Sequence, residues 1–257
     1  MNFTVVIPAR AESTRLPGKP LLDIGGLPMV IRTARQAALS GASRVLIATD
    51  DPAIADAAHA HKVEALMTRR GHRTGTDRLA EVATTLGLPD EAIVVNVQGD
   101  EPLIEPTLVD AVANLLSQRP QAAIATCASP VRDADTLFDP NAVKVVCDTR
   151  GRALYFSRAP IPWHRDALAD GQQRLAPGLQ AWHHIGLYAY RAGFLRQYPT
   201  LPAGYLEQVE SLEQLRALEQ GFEIVVHQTQ SAPARGVDTV QDLARVRALF
   251  GPGTPKN

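Results

Sequence analysis

The chain has 257 residues and is 45% apolar, enough to fill a sizeable core and to exclude general disorder. Its 26 Lys and Arg against 27 Asp and Glu exclude a nucleic-acid-coating surface or a polybasic membrane face, so any basic cluster must be local. Cys127 and Cys147 lack zinc or redox spacing and read as small buried residues of a reducing compartment. No run approaches the ~18 apolar residues of a membrane span, and "MNFTVVIP" has no signal-like character, so the expected address is cytoplasmic.

In chain order, the apolar run "FTVVI" at 3–7 predicts a strand, followed by a helix over 28–40. The strand "RVLIAT" at 44–49 precedes a helix beginning near Pro52, and "AIVVNV" at 92–97 precedes a helix over 106–117. "AAIATC" at 122–127 closes this series. Strand–helix–strand alternation predicts an α/β fold, a mainly parallel Rossmann-like sheet with helices on both faces, because parallel strands need crossovers. After Val131 the pattern breaks. Two β-rich runs, "AVKVVC" and "ALYFS", flank the turn signal "DTRGR" and predict a hairpin. "HIGLYAY" at 184–190 predicts another strand, helices follow over 205–220 and 239–250, and "EIVVH" at 223–227 lies between them. The expected organisation is a single domain over 1–250 with a β-rich insertion at about 130–200 and a frayed tail at 251–257.

In an open parallel sheet, ligands bind beyond the carboxyl ends of the strands. "IPARAESTRLPGKP", at 7–20, sits at such an end and carries Arg10, Arg15 and Lys19. It matches neither a Walker A loop nor G-x-G-x-x-G, yet three cations there can wrap a polyphosphate, where a single one would merely solvate a loop. "VVNVQGDEPLI" runs a strand into Gln98, Gly99, Asp100 and Glu101, and "ARGVDTVQDL" places Asp238 before a helix. A carboxylate facing a polyphosphate calls for a hard cation such as Mg²⁺ between them, but taken alone each Asp also fits a helix cap. Thr74, Gly75 and Thr76 can present backbone and hydroxyl groups to a base, or simply cap a helix, and Arg158 can grip a carboxylate or stay solvated. His183 and His184 alternate across a strand with no third ligand at workable spacing, which argues against zinc. Glu207, Glu210, Glu213 and Gln214 form either a solvated helix face or a cleft wall. No nucleophilic triad or cysteine environment is evident, so direct displacement is expected rather than a covalent intermediate.

With these residues in view, the chain resembles the 3-deoxy-manno-octulosonate (Kdo) cytidylyltransferases, the CMP-Kdo synthetase family, over about residues 2–249. "IPARAESTRLPGKPLLDIGGLPMV", "TGTDRLAEV", "VNVQGDEP", "PNAVKVV", "ALYFSRAPIPW", "HIGLYAYRAGF", "LEQLR" and "GVDT" carry the resemblance in the family's order. The longer stretch "ALADGQQRLAPGLQAWH" departs from it. The resemblance implies a nucleotide-diphospho-sugar transferase type of fold that joins CTP and Kdo with Mg²⁺, as a homodimer built through the insertion. It implies that Ala9, Arg10, Arg15, Lys19 and the loop Thr74, Gly75, Thr76 and Arg78 bind the nucleotide. Asp100 and Asp238 would ligate Mg²⁺ and, with Arg15 and Lys19, carry the chemistry. Gln98, Arg158, His184, Tyr188, Glu210 and Gln214 would line the sugar site, within a position or so on the acidic helix. A sialic acid or an 8-amino analogue of Kdo is the alternative substrate, and a catalytically silent nucleotide-binding regulator the alternative of another class. Neither nucleic acid nor membrane is expected as a partner.

Overall fold

The structure, a computed structural model, describes residues 2–10, 16–72, 74–231, 234 and 236–250. Arg15 and the expected tail at 251–257 lie outside the described residues. Strand β1 (Phe3–Ala9) is followed by a 3-10 turn at Lys19–Leu21, by β2 (Asp23–Ile24) and β3 (Leu27–Pro28), and by helix α1 (Met29–Ala37). Then come β4 (Arg44–Thr49), α2 (Pro52–Ala60), β5 (Glu64–Met67), α3 (Gly75–Thr85), β6 (Ile93–Asn96), α4 (Pro106–Ser117) and β7 (Ile124–Pro130). The second half adds α5 (Ala134–Phe138), β8 (Lys144–Cys147), β9 (Ala153–Ser157), β10 (Trp182–Arg191), α6 (Ala192–Gln197), α7 (Tyr205–Glu210), α8 (Gln214–Glu219), β11 (Ile224–Gln228) and α9 (Val240–Leu249).

The main sheet runs β11-β7-β10-β6-β1-β4-β5, with β8 joined to β10 and β9 to β8. Along that seven-strand path neighbours pair in parallel except at β10, which lies antiparallel to both β6 and β7. Strand alternation sorts the core into two layers. Val5 and Ile7 of β1 pack with Val30 and Ile31 of α1 and Val112 and Leu116 of α4, whereas Val6 joins Leu79 and Val82 of α3 and Leu195 of α6. Helices therefore cover both faces, as the alternation predicts. The hairpin also forms as predicted: β8 and β9 pair antiparallel around a turn in which Gly151 takes φ 79°, a left-handed geometry that glycine adopts without strain. Cys127 is fully buried and Cys147 half-buried, and both are free thiols. The departing stretch packs locally, with Leu175, Leu179 and Ala181 against Val131 and Leu137.

The expected single helix over 205–220 is two helices. Ser211 breaks it with φ 52°, in the left-handed region. α7 has no buried residue, whereas α8 buries Gln214, Leu215 and Ala217; the turn keeps the first half on the surface and sends the second into the core. β5 and α5 are too short to show a period, and sequence reading passes over them.

Two buried polar side chains fix the sheet's irregular half. Lys144 is completely buried, and its ammonium donates to the carbonyls of Asp139 and Arg158, each at 2.8 Å, and to that of Ala142. Three donors meet three acceptors, so the charge is hydrogen-bonded throughout, although burial lowers its pKa from the ordinary lysine range. His184 precedes an irregularity between Ile185 and Tyr188. The Thr126 hydroxyl donates to the Leu187 carbonyl at 2.8 Å and so accepts from the His184 Nε2–H at 2.9 Å. Burial pushes the imidazole pKa down to about 3 from 6.5, with the neighbouring His183 a smaller cause, so the ring is neutral in the fold.

Lys144→Met should destabilise the chain by about 3 kcal/mol, because it leaves three carbonyls unpaired, and denaturant titration measures the loss. For His184 the unfolded chain takes up a proton near 6.5 and the folded chain only near 3, so its contribution is complete above 6.5 and lost as pH falls through that window. Thermal melts of His184→Gln across the same window should show a shallower acid decline than the parent; equal slopes would refute the assignment.

Candidate active site

β1, β4 and β6 end at one edge of the sheet, and three chain segments converge there. Beyond β6 the chain follows β1 closely: the Val97 N–H donates to the Val6 carbonyl at 3.2 Å, and a Cβ on Gly99 would stand 3.2 Å from the Pro8 carbonyl. That close approach favours glycine, and it delivers Asp100 to the edge. The Gly99 carbonyl accepts from the Thr33 hydroxyl of α1 at 3.1 Å, and the Asp100 carbonyl from the Val237 N–H at 2.9 Å. Leu16 and Val237 share a small core with Ile24, Met29, Leu243 and Val246, which brings the loop after β1 against the segment before α9.

Lys19 and Asp238, 219 positions apart, therefore meet. The Lys19 ammonium lies 2.6 Å from Asp100 Oδ2 and 3.0 Å from Asp238 Oδ1. Two carboxylates so close would repel, and the cation between them offsets that repulsion. The lysine side chain is 12% exposed while those of Asp100 and Asp238 are 32% and 51% exposed, so the carboxylates present an open side to solvent. Neither carboxylate is a helix cap. Glu105 occupies the cap position of α4, and at α9 the Thr239 hydroxyl and Asp242 form a reciprocal capping box. Two carboxylates facing one positive charge fit the donor set of Mg²⁺, which takes one or two carboxylates and completes its shell with phosphate and water oxygens. Beside them the Glu101 carboxyl is pushed up to about 8 by burial and, secondarily, by Asp100.

Gln98 leads from this charge cluster into a cleft of about 460 Å³. Its floor is Pro8, Ala9 and Arg10 of the β1 end, with Asn96 of β6. One wall is the start of α3: Thr74, Gly75, Thr76 and Arg78, with His72 just before them. The other is Tyr188 and Tyr190 of β10, Tyr198, and the turn from Ser211 to Gln214. Thr74 caps α3 through a capping box with Asp77, so the helix-start alternative holds, and that start also lines the cleft. Arg78 is buried, its guanidinium held by Asp50 at 3.0 Å and by the Thr68 hydroxyl, and His72 Nε2 is held by Glu81. The Thr76 hydroxyl donates to Glu213 at 3.1 Å across the cleft, where burial raises the Glu213 carboxyl above its usual range. Asn96 Oδ1 and Gln214 Nε2 are buried without a hydrogen-bond partner among the described residues, an acceptor and a donor left over in the cleft lining.

Of the sequence-predicted residues, Ala9, Arg10, Thr74, Gly75, Thr76, Arg78, Gln98, Tyr188 and Gln214 line this cleft, and Lys19, Asp100 and Asp238 cluster beside it. His184 lies behind Tyr188, ring centroids 5.3 Å apart. Arg158 and Glu210 bind each other instead: the Arg158 Nε–H donates to the Glu210 carbonyl at 2.7 Å, and the Glu210 carboxylate accepts the Arg158 main-chain N–H at 2.9 Å. The acidic residue in the cleft lining is Glu213, which the break at Ser211 separates from the face of Glu210. Asn96, His72, Tyr190 and Tyr198 also line the cleft without having been singled out. Asn96 alone had a signal, as a polar residue in the apolar run "VVNV".

A cytidylyltransferase family model matches residues 4–224. The chain is similar to a solved CMP:2-keto-3-deoxy-manno-octonic acid synthetase complexed with CTP, at 42% identity and TM-score 0.88, covering 97% of this chain and 98% of that one. A cytidylyltransferase from Leptospira borgpetersenii serovar Hardjo-bovis shares the fold at 16% identity and TM-score 0.61, over 97% of this chain and 86% of that one. The strand-end cation, the paired carboxylates and the polar cleft thus sit on a nucleotidyltransferase fold, and the chain belongs to the cytidylyltransferase family.

Proposed function

We propose that the protein joins CTP to Kdo, giving CMP-Kdo and pyrophosphate for lipopolysaccharide assembly. The observation that carries this reading is the nearly full-length likeness, at 42% identity, to a synthetase of that acid sugar complexed with CTP. The cleft supports it: amide and carboxylate groups of Asn96, Gln98, Glu213 and Gln214 suit a polyhydroxy acid better than an apolar ligand.

In this mechanism the anomeric hydroxyl of Kdo attacks the α-phosphorus of CTP in line with departing pyrophosphate; one P–O bond forms, one breaks, and the hydroxyl proton passes to solvent water. Such a reaction depends on positioning and charge neutralisation. Arg10 and Lys19, with Arg15 of the same loop, hold the phosphates, and Lys19 offsets charge on the leaving group. The N-terminal turn of α3 presents Thr74, Gly75 and Thr76 to the nucleotide, with Arg78 locked behind them by Asp50. Tyr188, whose phenol burial keeps protonated, is a hydrogen-bond donor toward the sugar. Asp100 and Asp238 would hold Mg²⁺, which would supply Lewis-acid charge neutralisation there.

The segment over 130–200 is read as sugar-binding and dimer-forming; the exposed Leu154 and Trp163 on it suit burial against a second copy. Use of CTP is consistent with a cytoplasmic address, and among the described residues no helix is long and apolar enough to cross a membrane.

Pyrophosphate release with CTP and a panel of acid sugars tests the reading: Kdo should give the highest kcat/KM, and no signal with Kdo would sink it. Asp100→Ala and Asp238→Ala should each cut turnover by at least roughly a hundredfold while melting close to the parent temperature. Undiminished activity in either variant removes the metal assignment.

A further inference from the structure

Glu210 lies outside the cleft lining, yet its carboxylate collects three hydrogen bonds from β9 and the residue after it: the Ser157 hydroxyl at 2.6 Å, the Arg158 N–H at 2.9 Å and the Tyr155 hydroxyl at 3.1 Å. Burial alone would raise its pKa, but these bonds outweigh burial and hold it below the usual range. Arg158 closes the loop from its own side. Its Nε–H donates to the Glu210 carbonyl at 2.7 Å and its Nη1 to the Pro140 carbonyl at 2.8 Å, while Lys144 holds the Arg158 carbonyl at 2.8 Å. Side chain and main chain of one residue are thus tied to the rim of the β8–β9 hairpin.

The next residue is Ser211, whose left-handed backbone a serine keeps only where its surroundings fix it. From Ser211 to Gln214 the chain is cleft wall. Leu212 and Leu215 anchor that wall from the core, whereas α7 on its other side has no fully buried residue and packs on the core only through the half-buried Leu206. Glu207 ties α7 to Arg216 of α8 at 2.6 and 2.7 Å, so the two helices are joined to each other; Leu215 and Ala217 of α8 pack with Val145, Ala153 and Phe156 of the hairpin, and the carboxylate of Glu210 adds the hydrogen bonds that tie the end of α7 to it.

We infer that Glu210 is a positioning residue: through its bonds to Tyr155, Ser157 and Arg158 it holds Glu213 and Gln214 at the cleft for the second substrate, without touching that substrate. This rests on the reading that the wall from Ser211 to Gln214 faces the acid sugar while the start of α3 faces CTP.

Glu210→Gln keeps the size but removes the charge and one acceptor. KM for Kdo should rise roughly tenfold, the scale of one charge-assisted hydrogen bond, with KM for CTP changed less than about twofold. Ser157→Ala and Tyr155→Phe each remove one of the bonds to Glu210, so smaller rises in the same direction are expected, and they carry the test if Glu210→Gln does not fold. Hydrogen–deuterium exchange without substrate should quicken at amides 211–214 and stay unchanged at 74–78. A parallel rise in both KM values, or unaltered exchange at 211–214, overturns the inference. The exchange measurement decides it even if Kdo proves not to be the substrate.

Discussion

The contact between the Lys19 ammonium and the carboxylates of Asp100 and Asp238 is the constraint around which the site is assembled. The three residues come from three separate segments, and each is delivered by ordinary folding forces. Gly99 lets one segment lie against β1, the Leu16 and Val237 core draws in the other two, and the Val237 hydrogen bond to Asp100 sets their spacing. Electrostatics makes the arrangement conditional. Two carboxylates gathered at one edge are stable together only with a positive charge between them, and Lys19 supplies it when nothing else does.

Much of this was legible in the sequence, for reasons that can be named. The parallel layer follows from alternating apolar runs, the hairpin from "DTRGR", and Asp100 from a glycine placed where a strand runs out. Each of these is local. What the sequence hid is non-local or depends on competition. Nothing in "HIGLYAY" says that the strand will run against its neighbours and separate β6 from β7, because strand order is set by packing across the whole chain. The break at Ser211 was invisible because the acidic and apolar positions of 205–220 suit a continuous helix; only the need to bury Leu212 and Leu215 while leaving α7 on the surface selects the turn. That break separates Glu213, in the cleft lining, from Glu210, which is spent on the hairpin.

Burial gives the two halves of the cleft different chemical characters. Around the start of α3 the groups are locked in pairs: Arg78 with Asp50, His72 with Glu81, Thr74 with Asp77. Around the other side, desolvation keeps His184, Tyr188 and Tyr190 neutral, and Asn96 and Gln214 keep hydrogen-bonding atoms in reserve. One half is pre-organised by charge, the other by the exclusion of water.

The reversed direction of β10 bears on how this enzyme could change. In an all-parallel sheet the binding residues sit on loops past the strand ends and can be lengthened or swapped with little effect on the core. Here Tyr188 and Tyr190 line the cleft from inside a strand that is hydrogen-bonded on both sides, alternating with Leu187 and Ala189, which pack in the core on the opposite face. A new acid specificity therefore cannot be drafted onto a flexible loop there; each trial substitution is also an edit to the middle of the sheet. Drift in the accepted sugar should consequently be slower on this strand than in the turn from Ser211 to Gln214, and a library aimed at altered acids would do best to begin in that turn.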